Sequence, residues 1–459
     1  MAGCSGSKVE SAQRSITAIS TTVATGSFHL ESVTSDGYAI VSDLKAKTVN
    51  AVQLSTKATT PILSVPLTDP RTSNNGPTVL LWHDLNATGD GAQLTAWNAA
   101  SGAHLLSSNA ILDNFNDALI SDDGQHIAFI EHVDANTDQI VINNPSGTAR
   151  QVLTAALSAC PGHRVRFVPG SNFQRIAASY CTSAPPAGRT VSIFNLTTGA
   201  NTILGTGGAD LFFRLEPTGS RALVHIAGGS IIVSLDGAMS DLIDPSPVRG
   251  NFLPDGVELV YTSGGALKRV AAGGVPDTML ASGANGTLGI LSDASAVFFY
   301  NTVDGTTGLT DIFLANLLVD GLAPVSVGRG VGALEAPSAD NKHLLFYNNT
   351  DAAARIGTFE TQAPSGGTFL PVGSGQSVVN GDFELGTDRV VFNDSYVAAT
   401  ATVPESVTLE SIDFSKATPT VTPLATGADA AFLPTWDGSL AVYTTSAPMT
   451  AGLYTVAVP

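Results

Sequence analysis

The chain has 459 residues, of which 43% are hydrophobic and only 13% charged, with 46 Gly and 24 Pro. Its formal net charge of -18 argues against binding to nucleic acid or to anionic lipid, because the summed field repels both. No apolar run of about 18 residues is present to span a membrane, and the Gly and Pro content suits many short strands joined by tight turns.

At the N-terminus the chain reads Met1-Ala2-Gly3-Cys4-Ser5-Gly6-Ser7. Ala-Gly-Cys resembles the end of a bacterial lipoprotein signal, and the resemblance implies lipidation at Cys4. The pattern departs where Met stands in place of the usual Leu and where the apolar stretch of a signal is missing, which implies a trimmed signal. A chance tripeptide is the alternative. Ser5 after the cysteine implies, by the same resemblance, sorting to the outer membrane. Residues 1–26 are expected to be a Ser/Thr/Ala-rich tether and residues 27–459 the folded body.

From there a phrase recurs: an apolar residue, a small or Pro position, a polar turn usually closed by Gly, then β-branched and aromatic residues. It appears as VTSDGYAIV (33–41), ISDDGQHIAFI (120–130), LEPTGSRALVHI (215–226), FLPDGVELVY (252–261), APSADNKHLLFY (336–347) and FLPTWDGSLAVY (432–443). Recurrence at roughly 40-residue intervals predicts an all-β β-propeller of four-stranded antiparallel blades, about 8–10 of them. In the first unit, strands a to d are predicted near His29–Ser35, Tyr38–Ser42, Val49–Leu54 and Pro61–Val65. Further units follow at 77–107, 118–155, 164–204, 211–243, 248–281, 287–327, 334–372, 382–424 and 430–458. The a–b turns carry Asp-Gly, Thr-Gly or Asp-Asn, which supply the backbone conformation that tight hairpins demand. The last unit is one strand short, and SITAISTT (15–22) alternates suitably to close a single ring from the other terminus. Two smaller rings are the alternative.

Cys160 and Cys181 flank two strand-like halves that meet at Pro169-Gly170-Ser171-Asn172. If that segment is a hairpin, the cysteines lie nearly opposite one another and can form a disulfide. A bridge there closes a loop of about 20 residues, for which chain entropy gives roughly 3 kcal/mol. Two buried free thiols are the alternative.

The phrases LPDGVELVYTS, SDDGQHIAFI and SADNKHLLFYN resemble the Ser-Pro-Asp-Gly-Lys-x-Ile-Ala-Phe repeat of TolB-like propellers. The resemblance covers roughly residue 28 to the end and rests on turn and core positions. It implies an envelope-associated binding scaffold, on the periplasmic side of the outer membrane or the cell surface. Similar propellers form the non-catalytic half of prolyl-oligopeptidase-like enzymes, but this chain has no GxSxG nucleophile elbow.

Chemistry-bearing patterns are few. The eight His are scattered without HExxH, and no metal, cofactor or catalytic set is expected. His126 and His132 read as solvent-facing strand ends. Asp36, Asp123, Asp255 and Asp437 occupy turn positions where Asp bonds its own backbone. One cluster stands out. Aligned on their turns, the innermost strands place Arg166, Arg214 and Asn251 at equivalent sites, with Arg164, Arg249 and Glu216 nearby. Internal bridges to Asp or Glu on adjacent blades are the first reading of these arginines; the functional alternative is a positive funnel for a carboxylate, a phosphate or an acidic peptide end. The leading expectation is a monomeric, non-enzymatic, lipid-anchored propeller that binds an envelope protein or peptide. A propeller enzyme of hydrolase or lyase type, or a structural surface protein, are the competing readings.

Overall fold

The structure is a computed structural model. It describes residues 20–458 except 44, 113–117, 161, 183–187, 208–211, 272–276, 302–309, 331–333, 338–342, 349–354, 361–368, 372–380, 384–387, 399, 401–404, 417–418, 430 and 448–449. Among the described residues every regular element is a strand, and all strand pairs are antiparallel. The described strands form ten four-stranded units, the first nine laid down in the order a, b, c, d and the tenth taking its outermost strand from the N-terminus. Unit one runs through Phe28–Val33, Tyr38–Asp43, Thr48–Gln53 and Thr59–Leu63, within two residues of the expected starts.

Unit two departs from the expectation. Its strand a is Leu67–Asn75, ahead of the predicted start at residue 77, and it turns at Gly76-Pro77. Pro70 falls inside that strand, where the pairing jumps from Leu67↔His83 to Thr72↔Leu81. Proline removes a ladder donor and is confined to such irregularities, so the strand lacks the usual sequence pattern.

Closure follows the expected principle, with a strand that shares Thr21 and Thr22 with the predicted segment. Thr21–Thr25 pairs with Gly452–Ala457, so the N-terminal strand completes the tenth blade. Residues 15–19 of the predicted closing strand lie outside the described residues. Val23 is the buried residue of the N-terminal strand and packs with Leu30, Val33 and Val442, across the junction of the first and last blades. Trp436 of blade ten donates its indole N–H to the Val33 carbonyl of blade one at 2.9 Å. Successive blades touch from first to last and the tenth touches the first, making one ring.

The core is divided among the blade junctions. Val191, Ile193 and Leu204 of blade four pack on Phe213, Val224 and Val233 of blade five. Leu253, Val260 and Leu267 of blade six meet Val297, Phe299 and Ala315 of blade seven in the same way. A b strand such as Ile127–Asp134 is covered on both faces, Ile127 and Phe129 in one cluster and Ala128 and Ile130 in another, which is why it reads as a continuous apolar run. Stability accrues interface by interface, as in any repeat fold.

The recurring turn is also a latch between blades. Thr78, Arg175 and Arg221, each the first residue of its b strand, donate to the carbonyls of Gly124, Gly219 and Gly256 in the next blade's a–b turn, at 2.9, 3.0 and 2.6 Å. Gly219 has φ +70°, and a Cβ there would stand 2.0 Å from the Pro169 carbonyl oxygen, so only glycine fits.

Candidate functional site: a cationic channel wall

Strands a line the channel. Those of blades four, five and six are Arg164–Phe167, Phe213–Leu215 and Arg249–Phe252. Arg164 and Arg166 alternate with buried Val165 and so share one face of their strand. Arg214 extends that cluster from the next blade: burial first, then the charges of Arg164 and Arg214, holds the Arg166 guanidinium below its ordinary value. Burial and Arg164 do the same to Arg214. The three like charges are thus close enough to repel, in a chain whose net charge is -18.

No Asp or Glu among the described residues forms an ion pair with Arg164, Arg166 or Arg214. Arg166 donates from Nη1 to the neighbouring Val165 carbonyl at 2.9 Å. Arg249 is exposed at the first position of its strand and is not among the charges pressing on the other three. Glu216 is turned to another task. It is buried in the a–b turn of blade five, where Arg221 reaches it at 2.9 Å and the Ser220 hydroxyl donates to it.

Beside the arginines a cavity of about 650 Å³ opens along blades five to seven. Arg214, Asn251 and Thr287 supply its polar side chains, while Pro217, Phe252 and Pro254 are among its apolar walls. Asn251 donates to Thr287 across the junction of blades six and seven at 3.2 Å. Among the described residues its lining holds no His, Asp or Glu.

The repeated Asp residues are occupied locally. Thr34 and Thr435 donate to Asp36 and Asp437 at 2.6 Å, and the Val257 amide donates to Asp255 at 2.9 Å. The Thr435 hydroxyl and the Ser439 amide hold the Asp437 carboxyl below the usual range. Among the described residues no group of three or more His, Cys, Asp and Glu is arranged to hold a metal ion. Cys4 lies outside the described residues.

A second polar cluster was not visible in the sequence. The Asp138 carboxylate, fully buried, receives His132 Nδ1 on one oxygen at 2.6 Å and His163 Nε2 on the other at 2.9 Å. His132 is therefore not the solvent-facing strand end its position suggested; its side chain is only 15% exposed. His126 is exposed and stacks on Phe173 with ring centroids 5.5 Å apart. His163 also lies against Cys160 Sγ, 3.7 Å from Nε2. Cys160 is joined to Cys181 by a disulfide with Cα atoms 6.3 Å apart, linking the end of blade three to strand b of blade four. At this same junction single bridges, Glu131↔Ala110 and Ser158↔Cys181, merge blades two, three and four into one twelve-stranded sheet.

No protein-family model matches the chain, and no curated protein matches it in sequence. Solved structures do. A eukaryotic initiation factor is similar with a TM-score of 0.51 and 14% identity, over 74% of this chain and 87% of that one. TolB of Acinetobacter baumannii is similar at 11% identity and TM-score 0.30, over 74% of this chain and 78% of that one. An oligogalacturonate lyase of Vibrio parahaemolyticus has 12% identity and TM-score 0.36, over 84% of this chain and 99% of that one. At these identities likeness speaks only to architecture. Together with the ring of antiparallel four-stranded sheets, it makes this protein a β-propeller.

Proposed function

We propose that the protein is a non-enzymatic β-propeller scaffold that binds a partner carrying a carboxylate or phosphate at its channel wall, the acidic end of an envelope protein or peptide being the intended class. The observation that carries this reading is the trio Arg164, Arg166 and Arg214, crowded on adjacent innermost strands without an acidic partner among the described residues. Half-buried like charges oppose folding, and an incoming anion relieves that repulsion while accepting charge-assisted, bidentate hydrogen bonds. The neighbouring cavity gives the rest of such a partner a mixed polar and apolar wall.

The disulfide supports an oxidising compartment, in keeping with an envelope location. Lipidation at Cys4 belongs to the same proposal and rests on the Ala-Gly-Cys sequence. Titration calorimetry with inorganic phosphate and with a short poly-glutamate peptide tests the site. Tighter binding of the peptide identifies a carboxylate-rich partner, and tighter binding of phosphate a phosphorylated one. Arg166→Ala with Arg214→Ala is expected to weaken binding at least tenfold, and rising salt to weaken it in the parent protein. Unchanged affinity in the double variant would leave the arginines a purely structural role.

A further inference from the structure

The geometry points to Cys160 as a site of reversible thiol chemistry: opening of the Cys160–Cys181 bridge releases at Cys160 a thiolate activated by His163, itself oriented by buried Asp138. The two sulfurs differ in access. Cys181 is fully buried in strand b of blade four, whereas Cys160 is half-buried in the connection between blades three and four. An incoming small thiolate therefore meets Cys160 Sγ.

The exchange balances without any further reagent class. A low-molecular-weight thiolate bonds to Cys160 Sγ, the bond to Cys181 breaks, and its electron pair leaves on the Cys181 sulfur, which takes up a proton. A second small thiolate then attacks the external sulfur of the mixed disulfide, releasing Cys160 as thiolate and the small molecule as its own disulfide. The small thiol is oxidised and the protein cystine reduced.

What distinguishes this bridge from a purely structural one is its neighbourhood. The His163 ring lies 3.7 and 3.9 Å from Cys160 Sγ through its two nitrogens, and its Nε2 bonds Asp138 at 2.9 Å. Asp138 holds the His163 ring in place against the sulfur, and an imidazole N–H beside a sulfur stabilises its thiolate. The other charges around the pair are His132 on the second Asp138 oxygen, Asp90 at 3.9 Å from His132, Arg164 next to His163 in sequence, and Arg189 paired across the sheet from Cys181. Two of these are permanent cations, and the carboxylates are engaged by histidine.

The fold need not dissolve when the bridge opens. Ile140, Leu157, Val165, Ile176 and Tyr180 pack blade three on blade four independently of the sulfurs. The test uses the full chain, reduced with a small dithiol and alkylated with iodoacetamide from pH 5 to pH 10. Peptide mapping separates the three cysteines, and Cys160 is expected to react with a rate midpoint at least one pH unit below the ordinary value of about 8.5, ahead of Cys4 and Cys181. His163→Gln is expected to raise that midpoint by about one unit, a shift that a merely structural histidine would not cause. A parent midpoint at or above the ordinary value overturns the assignment, as does loss of the near-ultraviolet circular dichroism signal on reduction. Where H163Q fails to fold, the parent midpoint decides alone.

Discussion

Two neighbouring regions of this ring handle buried charge in opposite ways. At the junction of blades two to four, the Asp138 carboxylate has an imidazole on each oxygen and a disulfide beside it. On the channel wall of blades four and five, Arg164, Arg166 and Arg214 face one another with no carboxylate among the described residues to answer them. The first arrangement is closed around its carboxylate: both Asp138 oxygens have an imidazole inside the chain. The second is open: the described residues offer these like charges no carboxylate.

The contrast is broken most severely at Asp138. Asp138→Ala leaves two imidazoles without their shared acceptor in a buried junction, and a loss of about 3–5 kcal/mol is expected, read by denaturant unfolding. A loss under about 1 kcal/mol would mean that water replaces the carboxylate easily and that the junction is not closed. The channel should answer differently. Arg166→Met with Arg214→Met keeps the apolar stems while removing two repelling charges, so stability is expected to stay within about 1 kcal/mol of the parent, on the higher side. A fall of several kcal/mol would move the arginines into the structural class of Asp138.

The smallest effect sharpens the comparison at a third place. Burial, and then the charge of Asp394, raise the Glu410 carboxyl in blade nine to about 7. In the unfolded chain the group ionises near its ordinary value of about 4.3. The folded state thus holds the proton more tightly, and this group's contribution declines as pH rises from there through about 7. Glu410→Gln, neutral at all pH, is expected to raise the melting temperature by about 2 °C at pH 8 and to change it little at pH 4. Equal shifts at both pH values would show that packing, not ionisation, governs the position.

Much of the architecture was legible because it is local. A polar turn followed by a β-branched run specifies a hairpin with neighbours close in sequence, and so the unit starts fell near their observed places. Leu67–Asn75 was missed because Pro70 and a polar composition disguise a strand that only its partner defines. The arginines were found by alignment of equivalent strand positions, which repeat geometry makes meaningful. That Arg214 joins Arg164 and Arg166 while Arg249 does not, and that Glu216 turns to Arg221, depends on side-chain directions that alignment does not carry.

The sequence by itself determined the all-β class, the period, the hairpin turns and the closing role of an N-terminal strand, since each follows from alternation and turn chemistry over a few residues. Only the tertiary structure decided the junctions. It set Asp138 between His132 and His163, brought the carbonyl of Gly219 to Arg175, and carried Trp436 to Val33 across 403 positions of sequence. The physical reason is that a blade cannot bury its own faces: what each side chain meets is set by the next blade, at distances along the chain where no local pattern reaches.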